Sequence, residues 1–439
     1  MLLIEKGYLI DPKSGKEGHY DILTQGSRIL RISPGLRGAL PRERLRGCRI
    51  LNAEGLLVAP GLVDAHVHFR EPGFPEKEDI RTGAAAAARG GFTTVVMMAN
   101  TRPAVDEPQI LRGVLGKGKE TAIHVEACAA VTKGLEGKVL TAMEALAEAG
   151  AAGFSDDGHP LLREPVVRAA MEKAAALDKV LSFHEEDPAL IGENGIHRGR
   201  ASAHFGLSGS PREAETVMIE RDLRLAAETG ACVNIQHIST KEGVELVRLA
   251  KRRGQHVHAE ATPHHFSMTQ EDTIRYGAMA KMNPPLREEA DRQAVIGGLA
   301  DGTVDLIATD HAPHTRAEKA LPIDRAPSGI IGLETALSLG ITKLVHGGYL
   351  TMRQLLAKMS VNPAAMYQLD AGYLAEGGPA DLVLIDTAAS WVVEDFFSKS
   401  ANSPFIGQTL KGEVSVTICD GKIAYRKPGW KGGKGGGDL

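Results

Sequence analysis

Val63-Asp64-Ala65-His66-Val67-His68-Phe69-Arg70 sets two imidazoles two residues apart on an apolar run that reads as a β-strand. Side chains alternate faces along a strand, so His66 and His68 point the same way. Neutral imidazole nitrogens are good ligands for zinc and similar divalent ions, and two on one face begin a coordination shell before any loop contributes. Alone, the pair has a plainer reading as two histidines hydrogen-bonded inside a core. Four further apolar runs end in acids or histidines: Gly153-Phe154-Ser155-Asp156-Asp157-Gly158, Val180-Leu181-Ser182-Phe183-His184-Glu185-Glu186, Val233-Asn234-Ile235-Gln236-His237-Ile238-Ser239, and Leu306-Ile307-Ala308-Thr309-Asp310-His311-Ala312-Pro313-His314. Metal-binding groups therefore recur where strands finish.

Outward from these runs, the chain between about Val63 and Asp310 alternates short apolar strands with helical stretches. Strand candidates begin near Val63, Thr93, Ala122, Ala151, Val180, Cys232, His256 and Asp305. The segments between them look helical, as in Gly83–Arg89, rich in alanine, and Arg212–Ile219. Strands separated by helices pair in parallel through crossovers. Eight of them favour a (β/α)8 TIM barrel, here residues 56–371, over an open doubly wound sheet, and such barrels carry their active sites at the C-terminal strand ends. Residues 1–55 lack that rhythm and show short strands broken by turns, such as Gly7-Tyr8-Leu9-Ile10 and Arg28-Ile29-Leu30-Arg31-Ile32; residues 372–430 repeat the texture. The two termini are expected to combine into one small β-sandwich domain, with a disordered Gly/Lys tail at 431–439.

The chain has 439 residues, 43% of them hydrophobic, ample for a large core and a smaller second one. A formal net charge of −4 gives no basic excess of the kind that tracks nucleic acid or anionic membrane, so a small molecule is the expected partner. Cys48, Cys128, Cys232 and Cys419 have no CxxC spacing, which argues against a disulfide framework or a thiolate zinc site and fits a reducing cytoplasm. Met1-Leu2-Leu3-Ile4-Glu5-Lys6 puts charges where a signal peptide needs an apolar stretch, and no apolar run is long enough to span a bilayer.

Counted along the strands, His66 and His68 end the first, Asp157 or its neighbour Asp156 the fourth, His184 the fifth, His237 the sixth and Asp310 the eighth. Such a set is enough for two divalent metals, zinc foremost, with one bridging carboxylate. The pair would share a water, lower its pKa towards neutrality and polarise a substrate carbonyl. Asp310 could bind one metal and also carry the proton to the leaving nitrogen, which points to hydrolysis, or its reverse, at an amide-like bond. Each residue has a plainer reading: a turn for Asp156-Asp157-Gly158, a rim histidine for His184, a helix cap for Asp310. It is their joint placement at successive strand ends that favours metal chemistry.

The constellation resembles the amidohydrolase superfamily and, within its cyclic amidases, the type I bacterial dihydroorotases. The likeness rests on Asp64–Gly73, Met98–Thr101, Phe154–Gly158, Gln236–Thr240, Met282–Arg287, Ala308–His314 and Ser328–Thr335. It implies reversible cyclisation of N-carbamoyl-L-aspartate to L-dihydroorotate in pyrimidine biosynthesis. By the same resemblance the metal ligands are His66, His68, Asp157, His184, His237 and Asp310, with Asp310 also the acid/base, and Asp157 is preferred to Asp156 as the bridge. Many relatives bridge with a carboxylated lysine at the end of the fourth strand; the type I branch has an aspartate there, as this chain does.

The substrate of that family is an acid. Arg70, two residues beyond His68 and on the same face, can make a bidentate contact to a carboxylate. The resemblance assigns the same role to Asn100 and His314, adds His68, gives Asn283 a contact to the ring amide, and closes the backbone at Ser328 and Gly329 over the substrate. Plainer readings are a salt bridge from Arg70 to Glu71, a turn at Asn100 and a cap at Asn283. Two alternatives stand beside this one: a related allantoinase or hydantoinase, and an inactive homologue serving as a structural subunit of an aspartate transcarbamoylase complex. A homo-oligomer is expected, with aspartate transcarbamoylase as the candidate partner.

Overall fold

The computed structural model describes residues 1–192 and 195–432. Barrel strands run over Leu62–Val67, Phe92–Met97, His124–Ala127, Leu181–Phe183, Val233–Ile235, Val257–Ala261 and Leu306–Ile307. Every strand-to-strand pairing among them is parallel. The fourth strand is reduced to one residue, Phe154, which bridges Ala129 on one side and Leu181 on the other. The ring closes between the eighth and first strands, where Val67 bridges His311 and the His68 amide donates to the His311 carbonyl at 2.9 Å. The strand starts read from the sequence thus describe a closed (β/α)8 barrel.

Helices pack on the outside because their sequences leave one small or apolar face. Ile80–Arg89 starts at Asp79, whose carboxylate accepts from the Thr82 amide at 2.7 Å while Thr82 answers the Asp79 amide, a reciprocal cap. It buries Ala84, Ala86, Ala87 and Ala88 against the barrel. A Cβ on Gly83 would stand 2.3 Å from the Phe69 ring, so the close approach at this point requires glycine. Lys241–Arg252 turns Val244 and Val247 inward, each worth roughly 1.5–3 kcal/mol of burial, and either truncated to alanine would open a cavity beneath the helix, which packs on the seventh strand.

The termini form one eight-stranded sheet, running Lys422–Arg426, Thr409–Cys419, Leu382–Val392, Leu57–Pro60, Leu2–Ile10, Glu17–Gln25 and Arg28–Ser33, with Arg49–Asn52 also paired to Leu2–Ile10. Hydrogen bonds join its strands continuously, as the two termini were expected to combine. The bend comes at a bulge after Ile4, where Lys6 takes φ 62°: Leu2–Glu5 pair with Arg49–Asn52, and Tyr8–Leu9 pair with Leu57–Val58. Leu2, Ile4, Leu9, Ile22, Leu382, Leu384, Val416 and Ile418 share the core beneath it. The expected boundary at residue 55 shifts accordingly, because Leu57–Pro60 pairs with Leu382–Ile385 and belongs to this sheet. Residues 433–439 of the expected disordered tail lie outside the described residues. Among the described residues no helix is long and apolar enough to cross a membrane.

Candidate active site

The C-terminal strand ends bring six side chains together, all buried. Asp157 is central: its Oδ1 lies 3.5 Å from His66 Nε2, 3.5 Å from His184 Nδ1 and 3.6 Å from His237 Nε2, and its Oδ2 lies 3.4 Å from His68 Nε2. Asp310 Oδ1 lies 2.9 Å from His68 Nε2 and 3.5 Å from His66 Nε2. The groups His66/His68/Asp157 and Asp157/His184/His237 each gather their ligand atoms within 4.8 Å, so Asp157 is common to both, as a bridge would be. Asp156 faces elsewhere. Its Oδ1 accepts from the amides of Val131 and Thr132 at 2.7 and 3.1 Å, and its other oxygen accepts from the Thr132 hydroxyl. The choice that local sequence leaves open is therefore made by the turn: Asp156 ties the preceding loop and Asp157 faces the imidazoles.

The imidazoles are aimed by partners on their far nitrogens. Glu260 Oε1 sits 2.6 Å from His66 Nδ1, Asn100 Oδ1 2.9 Å from His68 Nδ1, and Glu186 Oε2 3.1 Å from His184 Nε2. Each acceptor can take a ring N–H and turns the opposite nitrogen towards the two aspartates, the arrangement that orients histidines on a metal. His66 Nε2 and Asp157 Oδ1 have no hydrogen-bond partner although both are buried. An unmatched buried nitrogen and carboxylate oxygen cost about 1–3 kcal/mol each or more, so this donor set fits a divalent cation. His237 and Asp310 take φ of 33° and 45°, a left-handed backbone that non-glycine residues adopt at a cost of roughly 1–3 kcal/mol, and both lie at the strand ends that feed the cluster.

Electrostatics points the same way. Burial pushes Asp157 up, yet the charge of His66 and the imidazoles of His184, His237 and His66 that face it hold it well below the usual carboxylate range. Burial pushes His184 down, but Asp157 and Glu186 outweigh it and raise the ring to about 10. His66 is likewise raised well above its ordinary value, against burial, by Asp157, Asp310 and Glu260. The carboxylates thus call for positive charge at their centre.

The residues read as substrate contacts divide in two. Arg70, with φ 60°, donates from Nε to the Pro313 carbonyl at 3.2 Å, and no carboxylate of the described residues stands within ion-pair distance of it. The salt bridge to Glu71 is not formed; Glu71 instead pairs with Lys117. Asn283 keeps a buried Oδ1 without a partner. By contrast Asn100 is engaged by the cluster itself, its Nδ2 donating to the Asp157 carbonyl at 3.1 Å. His314 is held neutral by burial and the nearby Arg70; its Nε2 donates to the Ser328 carbonyl at 2.8 Å and its Nδ1 faces Lys77 Nζ at 3.4 Å. The Gly329 amide donates to the Lys281 carbonyl at 2.9 Å, so that amide is already engaged; what the site needs there is the glycine itself, since at φ 152° an added Cβ would meet the Ala312 carbonyl at 2.6 Å.

Sequence reading missed Glu260, which is fully buried and also accepts from Asn234 Nδ2 at 3.1 Å and the His237 amide at 3.3 Å. The available signal was an acid in the apolar seventh strand, Val257-His258-Ala259-Glu260-Ala261. Asp64 was also missed. It accepts from the Thr309 amide at 3.1 Å, joining the first and eighth strands, and burial lifts it to about 7.

A dihydro-orotase-like family model matches residues 55–243. The chain is 51% identical to a dihydroorotase of Clostridioides difficile over 97% of its length and 100% of the relative's, and 50% identical to one from Lactococcus lactis over 97% and 99%. The chain belongs to the dihydroorotase family. Among solved structures, an L-hydantoinase from Arthrobacter aurescens superposes with TM-score 0.85 at 24% identity, covering 100% of this chain and 97% of that one. A D-hydantoinase from Thermus sp. gives 0.84 at 25%, covering 99% and 98%. Dihydroorotase relatives and hydantoinase structures thus share one barrel, and the fold does not separate them; the residues facing the substrate must.

Proposed function

We infer that this protein is a dihydroorotase: a hydrolase interconverting N-carbamoyl-L-aspartate and L-dihydroorotate in pyrimidine biosynthesis. The observation that carries the choice is Arg70, a half-buried guanidinium beside the metal-type cluster with no carboxylate partner among the described residues, which suits a substrate carboxylate and has no use for a neutral ring. His66, His68, Asp157, His184, His237 and Asp310 would hold two divalent cations, zinc first, and these would supply an activated water and polarise the scissile carbonyl. Asp310 takes the proton of the attacking water and returns it to the ring nitrogen as the C–N bond breaks. Asn100 braces His68 and Asp157, and Asn283 offers its free Oδ1 to the ring N–H. His314 and the Ser328-Gly329 backbone shape the wall beside Arg70. The fully occupied ligand set speaks against an inactive subunit.

Turnover of dihydroorotate and of an uncharged hydantoin by the purified protein, with metal analysis, tests the reading. Dihydroorotate turnover with two metals per chain is expected; preference for the neutral ring would make the protein a hydantoinase-like amidase. A cytoplasmic location, a homo-oligomer and contact with aspartate transcarbamoylase belong to the same proposal, and native mass measured alone and with that enzyme checks the last two.

A further inference from the structure

Two lysines outside the cluster have no role in the chemistry described so far, and both are buried. Lys281 Nζ donates to the carbonyls of Ile323 at 2.7 Å and Ala326 at 2.8 Å, and reaches that of Asp324 at 3.4 Å. Lys319, at the end of the short helix Arg316–Lys319, donates to Pro327 at 3.0 Å and Gly329 at 2.9 Å. Two ammonium groups thus grip successive carbonyls of one irregular stretch, 323–329. Asn402 adds a third hold, its Nδ2 donating to Ala312 and Gly329, both at 3.0 Å. The stretch carries Ser328, whose carbonyl receives His314, and its Oγ lies beside Asn283: a Cβ on Gly195 would touch both, at 2.3 and 2.9 Å.

Burying an ammonium is costly, and a lysine that only filled space would be better replaced by an apolar side chain. Lys319 also borders a cavity of about 290 Å³ shared with Met279, His314 and Ile406, so close packing of its stem is not what it supplies. Together with Lys281 its head group makes five hydrogen bonds to backbone carbonyls.

We propose that Lys281 and Lys319 are positioning residues that latch segment 323–329 over the barrel mouth, fixing His314 and Asn283 where the substrate's carboxylate and ring amide dock. The proposal rests on the dihydroorotase reading for its substrate, but the latch itself has a readout free of it. Arg325 is exposed and followed by Ala326, whose carbonyl Lys281 holds, so trypsin reports on the latch directly.

The experiment compares wild type, Lys281→Met, Lys319→Met and Lys319→Arg. Expected are a rise in KM for dihydroorotate of about 10-fold in each Met variant with kcat within about 3-fold and metal content unchanged, partial recovery in Lys319→Arg, and tryptic cleavage at Arg325 faster by about 10-fold. Unchanged KM and unchanged cleavage would overturn the latch. So would kcat, metal content and melting temperature falling together, which would make the lysines merely structural. Should the Met variants not fold, Asn402→Ala releases the same Gly329 carbonyl and must then speed the same cut; if it does not, the latch is wrong. Wild type that turns over no dihydroorotate would defeat the functional reading while the cleavage comparison still judged the latch.

Discussion

Two places among the described residues gather histidine, carboxylate and other ligand atoms within 4.8 Å: the barrel mouth, and His124/Asp381/Cys419, where the third barrel strand meets the small sheet. At the second, the partners are already supplied. His124 Nε2 meets Asp381 Oδ2 at 3.1 Å, Asp381 Oδ1 accepts the Asp420 amide at 2.7 Å, and Cys419 donates to the Thr93 carbonyl at 3.7 Å. At the mouth, His66 Nε2 and Asp157 Oδ1 are left without partners while Glu260 and Asn100 fix the opposite nitrogens of His66 and His68. Ligand types at ligand spacing are therefore common to a clamp and to a metal site. What separates them is which atoms remain unsatisfied.

The sharpest break in that comparison is at Asp310. Asp310→Asn keeps the shape and removes both the charge and the proton carrier, so kcat should fall by at least about 10³-fold. Near-normal turnover of dihydroorotate would remove Asp310 from the chemistry. Chelation should abolish activity and lower the melting temperature, with zinc restoring both, because a ion bound only by the folded state stabilises it. His124→Ala and Cys419→Ser, by contrast, should leave the metal content per chain as in wild type; loss of an equivalent of zinc from either would erase the distinction drawn here.

Next in size is Arg70→Met, expected to cost about 10-fold or more in kcat/KM on dihydroorotate with the metals retained, since the lost contact is to the substrate. Equal losses on dihydroorotate and on a neutral hydantoin would make Arg70 structural. Glu260→Gln should follow, weakening metal affinity about 10- to 100-fold through His66 before it affects anything else. Titration of the metal-free protein with zinc measures it, and unchanged affinity would reduce Glu260 to a packing role.

The barrel was legible because five of its eight strands end in chemistry: His66 and His68, Asp157, His184, His237 and Asp310 mark strand ends in one dimension as they do in three. The fourth strand shows the limit, since Phe154 pairs by single bridges and its run could be placed only by counting from its neighbours. Glu260 escaped because an acid within a strand gives no spacing signal of its own; its importance lies in a 2.6 Å contact to a residue 194 positions away. That the two termini build one small β layer was legible because strand patterns report which side chains are apolar, while the order and continuity of its strands depend on the turn of the backbone at Lys6. Asn100 and His314 were read as substrate contacts, and their hydrogen bonds to Asp157 and Ser328 arise from loops whose path no periodicity encodes.

The smallest expected effect lies at the clamp, and it concerns pH. Asp381 raises His124 above its ordinary value chiefly through their hydrogen bond, with Asp420 and Glu126 adding attraction and burial opposing them. A histidine whose folded pKa exceeds its unfolded one favours the folded state fully below the unfolded value, near 6.5, and loses that contribution as pH rises through the folded value. The His124 side chain is 36% exposed, so solvent screening keeps the gain within the roughly 0–1 kcal/mol typical of surface pairs. Wild type should therefore melt above His124→Gln by a margin that is largest near pH 6 and shrinks towards pH 9. A margin that instead grows with pH, or one that depends on zinc, would mean that the clamp is not a proton-held ion pair and that its likeness to the mouth runs deeper than spacing.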